Sequence, residues 1–319
     1  MIRFEHVSKQ FPNGTLAVKS LDLEIEKGEF FVLIGPSGSG KTTTLKMINR
    51  LIELSKGWVR INGKKISDYD IHELRWDIGY VLQQIALFPH MTIAENIAVV
   101  PELKNWDKKR IRTRVDELLE MVGLDPKEYR NRKPHELSGG QQQRVGVLRA
   151  LAADPEIILM DEPFSALDPF SREKLQDDVL EIQQRLKKTI VFVTHDMREA
   201  LKLGDRICLM KDGEIVQVGT PHAFLTNPAN DFVREFVGNK QVPVRLEELM
   251  IPVTEEQQAI LLQTETVSLQ APLAEVFEQL ASFEQIAVMD GGKMVGVINR
   301  PHAMKVMSQY LRDGGRMHE

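Results

Sequence analysis

The sequence predicts an α/β fold: a parallel sheet flanked by helices, joined to an antiparallel β subdomain, carrying an inserted helical subdomain at about 84–155, and followed by a small α+β domain. Three observations predict it. Apolar runs of strand length, EFFVLI (29–34), PEIILMDEP (155–163) and TIVFVTHD (189–196), alternate with stretches of helical periodicity. The first run ends in a glycine-rich turn that opens a helix, IGPSGSGKTTTLKMINR (34–50). The pattern breaks at 238–252 and restarts on a smaller scale, which divides the chain into 1–238 and 239–319.

In chain order, IRFEHV (2–7) and LAVKSLDLEI (16–25) alternate as strands before a turn at Lys27-Gly28. GWVRINGKKI (57–66) reads as a hairpin turning at Asn62-Gly63. From about 70 to 155 the pattern is helical, and DKKRIRTRVDELLEMVGL (107–124) places Ile111, Val115, Leu118 and Leu119 on one face, followed by Val122. SREKLQDDVLEIQQRLKK (171–188) is an amphipathic helix, and DRICLMKDGEIVQVG (205–219) a hairpin turning at Asp212-Gly213. In the last segment APLAEVFEQLA (271–281) is a helix with Leu273, Val276, Phe277 and Leu280 on one face. A hairpin follows, QIAVMD, GGK, MVGVIN, then a second helix, RPHAMKVMSQYL.

Composition narrows the function classes. The 319 residues suffice for two cores, and the 42% hydrophobic and 27% charged content is that of an ordinary globular chain. A net charge of −5 argues against nucleic acid as a partner, so KKRIRTR (108–114) is read as a solvated helix face. One cysteine, Cys208, excludes an internal disulfide framework, and its apolar surroundings suggest a buried, inert thiol. MIRFEHVSKQF lacks a signal-peptide core, and no window approaches the roughly 18 apolar residues of a membrane span. The expected location is the cytosol, with any membrane work done through partner subunits.

The glycine-rich turn is a phosphate grip. Gly35, Gly38 and Gly40 let the backbone bend and aim N–H groups inward; Lys41 can reach the β- and γ-phosphates, and Thr42 can ligate Mg²⁺. The helix dipole points at the same anion. LSGGQQQR (137–144) is a second such end, with Ser138 as N-cap and Gly139 and Gly140 leaving the helix open. The two grips, 96 residues apart at Lys41 and Leu137, need not hold one ATP; on opposite sides of a subunit, two copies head to tail would bury two nucleotides. Each remaining candidate also has a bland reading. Phe11 could be core, Gln84 could replace its neighbour Gln83, Asp161-Glu162 could be a plain acidic strand end, and His195 a surface histidine. Adjacent acids at a strand end level with a phosphate grip fit a metal ligand and base better.

Over residues 1–238 these motifs stand in the order of the nucleotide-binding subunits of ATP-binding cassette (ABC) transporters, which the chain closely resembles, with a P-loop NTPase core. The resemblance implies adenine stacking by Phe11 and a P-loop comprising Gly35, Pro36, Ser37, Gly38, Ser39, Gly40, Lys41, Thr42 and Thr43. It implies that Gln83 contacts Mg²⁺ and reports to the membrane subunit, and that Leu137, Ser138, Gly139, Gly140 and Gln141 form the signature that completes the partner chain's ATP site. It makes Asp161 a Mg²⁺ ligand beside Thr42, Glu162 the base for the attacking water, Ser165 to Asp168 the D-loop, and His195 the switch histidine. The implied cofactors are ATP and Mg²⁺. The implied partners are a second copy (a homodimer), transmembrane permease subunits and a solute-binding protein, and the location is the cytoplasmic face of the membrane, as a peripheral subunit.

A soluble cassette ATPase is the rival class. Its repair type carries a very long coiled coil between P-loop and signature, and its translation type two cassettes in one chain; neither fits here. ALFPHMTIAENI (86–97) resembles importer subunits that dock a coupling helix, and KMINRLIE, LFPHMT and HELSGGQQQRVGVLRALAADP resemble the quaternary-amine importers of the glycine betaine, carnitine and choline type. A histidine betaine is equally compatible, and amino-acid importers are the nearest rival, because the solute does not touch this chain. The last segment resembles a single cystathionine-β-synthase (CBS) repeat. In its GVINRPH, Asn299 and His302 stand where such repeats carry a hydroxyl and a ribose-binding acid, so it is expected to bind no adenine nucleotide tightly.

Overall fold

A computed structural model describes residues 1–238, 246–251, 265–269, 271, 273–291 and 293–312. The chain divides into two compact units, Met1–Phe236 and Val237–Glu319.

The first unit holds two sheets. β1 (Ile2–Gln10), β2 (Leu16–Ile25), β4 (Lys56–Ile61) and β5 (Lys64–Lys65) form an antiparallel sheet in the order β2-β1-β4-β5. β3 (Phe30–Ile34), β6 (Ile78–Val81), β7 (Ile157–Asp161), β8 (Thr189–Thr194), β9 (Arg206–Lys211) and β10 (Glu214–Gly219) form the second, ordered β10-β9-β3-β8-β7-β6. Its five strands from β9 to β6 run parallel, and β10 closes the edge antiparallel to β9. β3, β7 and β8 are buried along their whole length, as their unbroken apolar runs require of strands covered on both faces. β2 instead alternates, burying Val18, Leu21, Leu23 and Ile25. One core cluster joins the two sheets: Phe4, Leu21 and Val59 of the first pack with Phe31, Leu33, Leu159 and Val193 of the second and with Leu45 and Ile48 of α1 (Lys41–Ile48).

Both expected hairpins form. Asn62 and Gly63, and Asp212 and Gly213, have positive φ at both central positions, as two-residue I′ turns need. One expectation fails: the stretch from about 70 to 155 is not all helical. After α2 (Ile71–Trp76), the four-residue run Ile78–Val81 becomes the edge strand β6, paired parallel with β7. The helices that follow are α3 (Ile93–Leu103), α4 (Lys108–Met121), α5 (Pro126–Tyr129) and α6 (Gly139–Leu151). α3 starts in a capping box between Thr92 and Glu95, and α4 buries Ile111, Val115, Leu118 and Leu119; Lys108, Lys109, Arg110 and Arg112 are exposed, while Arg114 turns inward to donate to the carbonyls of Leu151 and Ala152. α7 (Pro169–Leu186) and α8 (Met197–Leu203) flank β8, and α9 (Pro221–Thr226) and α10 (Asp231–Val237) end the run. Cys208 is fully buried, and burial pushes its thiol up to about 12, so the thiol is inert.

In the second unit β11 (Thr266–Ser268) pairs parallel with β12 (Gln285–Asp290), which pairs antiparallel with β13 (Lys293–Asn299). The helices are α11 (Leu246–Leu249), α12 (Leu273–Ser282) and α13 (Arg300–Arg312). Val267, Val276, Leu280, Ile286, Val288, Ile298 and Ala303 make its own core. The helix–hairpin–helix order is the expected one; β11 is additional. Residues 239–245 of the expected break, Gly292 of the expected turn and the side chain of Leu273 lie outside what is described.

β6 approaches α6 closely. A Cβ built on Gly79 would lie 2.4 Å from the Ala150 carbonyl oxygen, whereas one built on Gly146, in the same helix, meets nothing within 4 Å. Gly79→Ala should therefore destabilise the protein by about 1–3 kcal/mol through overpacking, and Gly146→Ala should stabilise it by up to about 1 kcal/mol through helix propensity. Urea unfolding of the two variants checks the opposite signs.

Candidate active site

Four adjacent parallel strands, β3, β8, β7 and β6, deliver the site at their carboxyl ends, where ligands of open α/β sheets bind. The loop after β3 is the phosphate cradle. Gly35 (φ 152°) and Gly40 (φ 99°) are the glycines it cannot exchange: a Cβ would fall 2.1 Å from the Met210 oxygen and 2.5 Å from the Ala17 oxygen, respectively. Pro36, Ser37 and Gly38 form its exposed lip, with Ser39 buried beneath and Thr43 half-buried behind on α1.

Lys41 is only 5% exposed. Its Nζ donates to the carbonyls of Gly35 (2.8 Å) and Pro36 (2.9 Å) and approaches Ser39 Oγ at 3.4 Å. Burial pulls its pKa down, and the charges of Glu162 and Asp161 pull it back up. The loop's carbonyls thus hold an ammonium inside the cradle, where it can exchange them for phosphate oxygens.

β7 ends in the two acids. The Thr42 hydroxyl donates to Asp161 Oδ1 at 2.9 Å, which puts two hard oxygen donors side by side, the donor set that suits Mg²⁺. The other carboxylate oxygen, Oδ2, accepts from the Tyr80 hydroxyl (3.3 Å) and lies 3.5 Å from Lys46 Nζ. Tyr80 is pushed above its ordinary pKa by burial and by Asp161, so its proton stays available to donate. Glu162 turns the other way. Its Oε2 accepts from Gln83 Nε2 at 3.4 Å and lies 3.2 Å from His195 Nδ1. Ser165 pins the same residue's carbonyl through both its N–H (3.2 Å) and its hydroxyl (3.0 Å).

The structure therefore brings together Lys41, Thr42, Gln83, Asp161, Glu162, Ser165 and His195. Gln83, expected at the metal, has its amide on Glu162 in this arrangement. Tyr80 and Lys46 were not anticipated. Lys46 carried a signal, since it follows Thr42 by four residues and so shares its helix face. Tyr80 carries none, because it meets Asp161 only through the pairing of β6 with β7.

The other candidates lie apart. Phe11 sits half-buried in the turn joining β1 to β2, its ring 5.2 Å from the Lys9 ammonium. Ser138 caps α6 in a capping box: its hydroxyl accepts from the Gln141 N–H (3.3 Å) and its N–H donates to Gln141 Oε1 (2.9 Å). Gln141 also donates to the Tyr129 hydroxyl (3.2 Å), Leu137 is buried, and Ser138 and Gly139 are exposed. A Cβ on Gly140 would meet Ser171 at 3.0 Å, so the start of α6 lies against the start of α7. Asp168 caps α7 by accepting from the Ser171 N–H (3.0 Å), and its hydrogen bonds with Ser171 hold its carboxyl below the usual range. Among the described residues, no hydrogen bond or ion pair joins 137–141 to the cradle.

The model of the family described as ABC transporter matches residues 18–165. The chain is 60% identical over 242 residues to the glycine betaine/carnitine/choline transport ATP-binding protein OpuCA of Bacillus subtilis, an alignment covering 76% of this chain and 63% of that one. It spans less than two thirds of that relative's length. It is 49% identical over 313 residues to the osmoprotectant import ATP-binding protein OsmV of Salmonella typhimurium, covering 95% of this chain and 80% of that one. Among solved structures, a dimeric ATP-binding cassette bound to ADP and phosphate matches with a TM-score of 0.62 and 38% identity, over 69% of this chain and 99% of its own.

The Tyr80 bond is directly testable. Tyr80→Phe should lower the unfolding free energy by about 1–3 kcal/mol, the worth of a hydrogen bond to a charged group. Chemical denaturation checks it; an unchanged midpoint would mean that Asp161 does not use that hydroxyl.

Proposed function

The chain belongs to the ABC transporter family, and from that premise we propose that it is the ATP-hydrolysing subunit of an importer for quaternary ammonium solutes of the glycine betaine, carnitine or choline type. The observation that carries the ATPase reading is the convergence of Gln83 and His195 on one oxygen of Glu162, beside the Lys41 cradle. The solute class rests on what the relatives are named for.

In this reading the cradle amides and Lys41 neutralise the phosphates. Thr42 and Asp161 would hold Mg²⁺, which supplies further charge neutralisation on the phosphate oxygens; the paired hydroxyl and carboxylate fit that ion. Glu162 accepts a proton from the attacking water, and His195, 62% exposed at its side chain, is free to face the γ-phosphate. Ser138 and Gly139 reach a nucleotide only in a second copy, so turnover waits on a closed homodimer. Phe11, at the start of the turn between β1 and β2, supplies the adenine face.

Transmembrane subunits dock around Gln83 to Ile97. Support comes from how that surface is built: buried Asn96 accepts from the Phe88 N–H (2.8 Å) and donates to the carbonyls of Phe88, Met91 and Thr92, while Arg149 donates to the Ala86 carbonyl (2.7 Å). The loop is fixed with Phe88 exposed. Among the described residues no helix is long and apolar enough to cross a membrane, consistent with a peripheral subunit at the cytoplasmic face that works with a permease and a solute-binding protein. The second unit acts as a CBS-like dimer clamp. Asn299, which replaces the usual hydroxyl, accepts from the His302 N–H (2.8 Å) and so spends its side chain capping α13.

Glu162→Gln should keep ATP binding and slow hydrolysis by roughly 10²–10⁴-fold, the range for a lost positioned base. It should also accumulate an ATP-bound dimer on gel filtration; unchanged turnover removes Glu162 from the base role. Truncation after Gly238 should leave hydrolysis intact while weakening nucleotide-free dimerisation or changing the salt dependence of transport. If neither changes, the clamp is wrong.

A further inference from the structure

One buried acid in the first unit takes no part in the site just described. Glu199, on α8, is 7% exposed, and burial raises its pKa. Its two oxygens are taken by two different elements. Oε2 accepts from the Thr194 hydroxyl at 2.5 Å, at the end of β8, and Oε1 accepts from Gln176 Nε2 at 3.4 Å, on α7.

Thr194 precedes His195. Its hydroxyl oxygen also accepts from the Asp196 N–H at 3.0 Å, closing a turn around the histidine. A hydroxyl has one proton, and here Glu199 takes it, which fixes the lone pair that Asp196 uses. The backbone on both sides of His195 is therefore set by one side chain that Glu199 orients.

On the α7 side, Arg172 donates from Nη2 to the carbonyl of Leu167 at 3.1 Å, inside the 165–168 loop that begins by pinning Glu162. Its Nε is buried with no hydrogen-bond partner, and its charge acts favourably on Glu199. Arg172 and Gln176 lie one turn apart on α7, so that helix links the 165–168 loop, through Arg172, to the His195 turn, through Gln176 and Glu199.

We propose that Glu199 is a positioning residue for His195: it locks the Thr194–Asp196 turn that presents the imidazole to Glu162, and through Gln176 and Arg172 it couples that turn to the 165–168 loop. The inference deepens the reading of His195 as part of an ATP-hydrolysing site and rests on it.

The test measures Mg-ATP hydrolysis of the full chain carrying Glu199→Leu, Glu199→Gln or the near-isosteric Thr194→Val, each alone and combined with His195→Ala. Glu199→Leu and Thr194→Val should each lower kcat about tenfold, the rate equivalent of about one hydrogen bond, with KM for ATP changed less than about twofold. Glu199→Gln, which keeps an acceptor for Thr194, should recover most of the rate. In the His195→Ala background Glu199→Leu should cost nothing further; a loss of the same size there, or a rise in KM matching the fall in kcat, overturns the proposal. A second readout needs no turnover. The His195 ring resonances of isotope-labelled protein, assigned by their loss in His195→Ala, should shift in Glu199→Leu and return in Glu199→Gln. Unmoved resonances overturn the positioning role even if the parent protein hydrolyses ATP, whereas shifted resonances in a parent without hydrolysis uphold it and reject the ATPase reading instead.

Discussion

Asp161 and Glu162 are consecutive residues, and the site depends on both reaching it. A strand sends consecutive side chains to opposite faces. The chain escapes that alternation at Glu162, which leaves β7 with φ 46°, a left-handed conformation costing about 1–2 kcal/mol for a residue with a Cβ. The surroundings over-determine it. The Glu162 N–H donates to the Val193 carbonyl at 3.0 Å, and Ser165 holds its carbonyl twice. The consequence is electrostatic: both carboxylates together oppose the burial that pulls the Lys41 pKa down, and they add to the Gly35 and Pro36 carbonyls that hold the ammonium inside the cradle.

β6 then ties the two acids together from the side. Tyr80 and Gln83 sit three residues apart where that strand ends, and they reach Asp161 and Glu162 respectively. Behind β6, Gly79 leaves only enough room for the Ala150 backbone of α6. The same α6 begins at Ser138, against the start of α7. A shift of the 84–92 surface would thus pull on a strand that touches both carboxylates in front and the Ser138 helix behind. Packed cores pass displacement on through such contacts because they contain little slack.

Much of this was legible in the sequence because the motifs encode local geometry. Glycines at fixed spacing, an N-cap serine before two glycines, and acids ending an apolar run each dictate their own backbone. The two hairpin turns follow from Asn-Gly and Asp-Gly for the same reason. What was not legible depends on neighbours in space. IGYV is four residues long inside a helical stretch, too short for period to decide, and only pairing with β7 makes it a strand. Tyr80 and Glu199 acquire their partners from other elements, so nothing within a few residues of either marks it. Asn299 sits at the start of a predicted helix, where asparagine is a favoured cap, so its capping of α13 is legible from position alone.

The start of α6 shows why one copy does not close the proposed site. A capping box normally satisfies a helix end, and Ser138 and Gln141 form one. Yet Ser138 uses its hydroxyl there only as an acceptor, so the hydroxyl proton remains to donate. The N–H groups of Gly139 and Gly140 belong to the first turn, where no helical carbonyl precedes them. Ser138 and Gly139 are exposed, and Ser138 and Gln141 hydrogen-bond to each other, and Gln141 to Tyr129, rather than to the cradle. An anion arriving from outside can therefore bind without dismantling the cap, whereas an anion held by Lys41 of the same chain has no hydrogen-bonded path to it. In the arrangement we propose, that outside anion is the phosphate chain held by a second copy, so the cap keeps α6 folded in the free subunit while leaving its donors for the dimer.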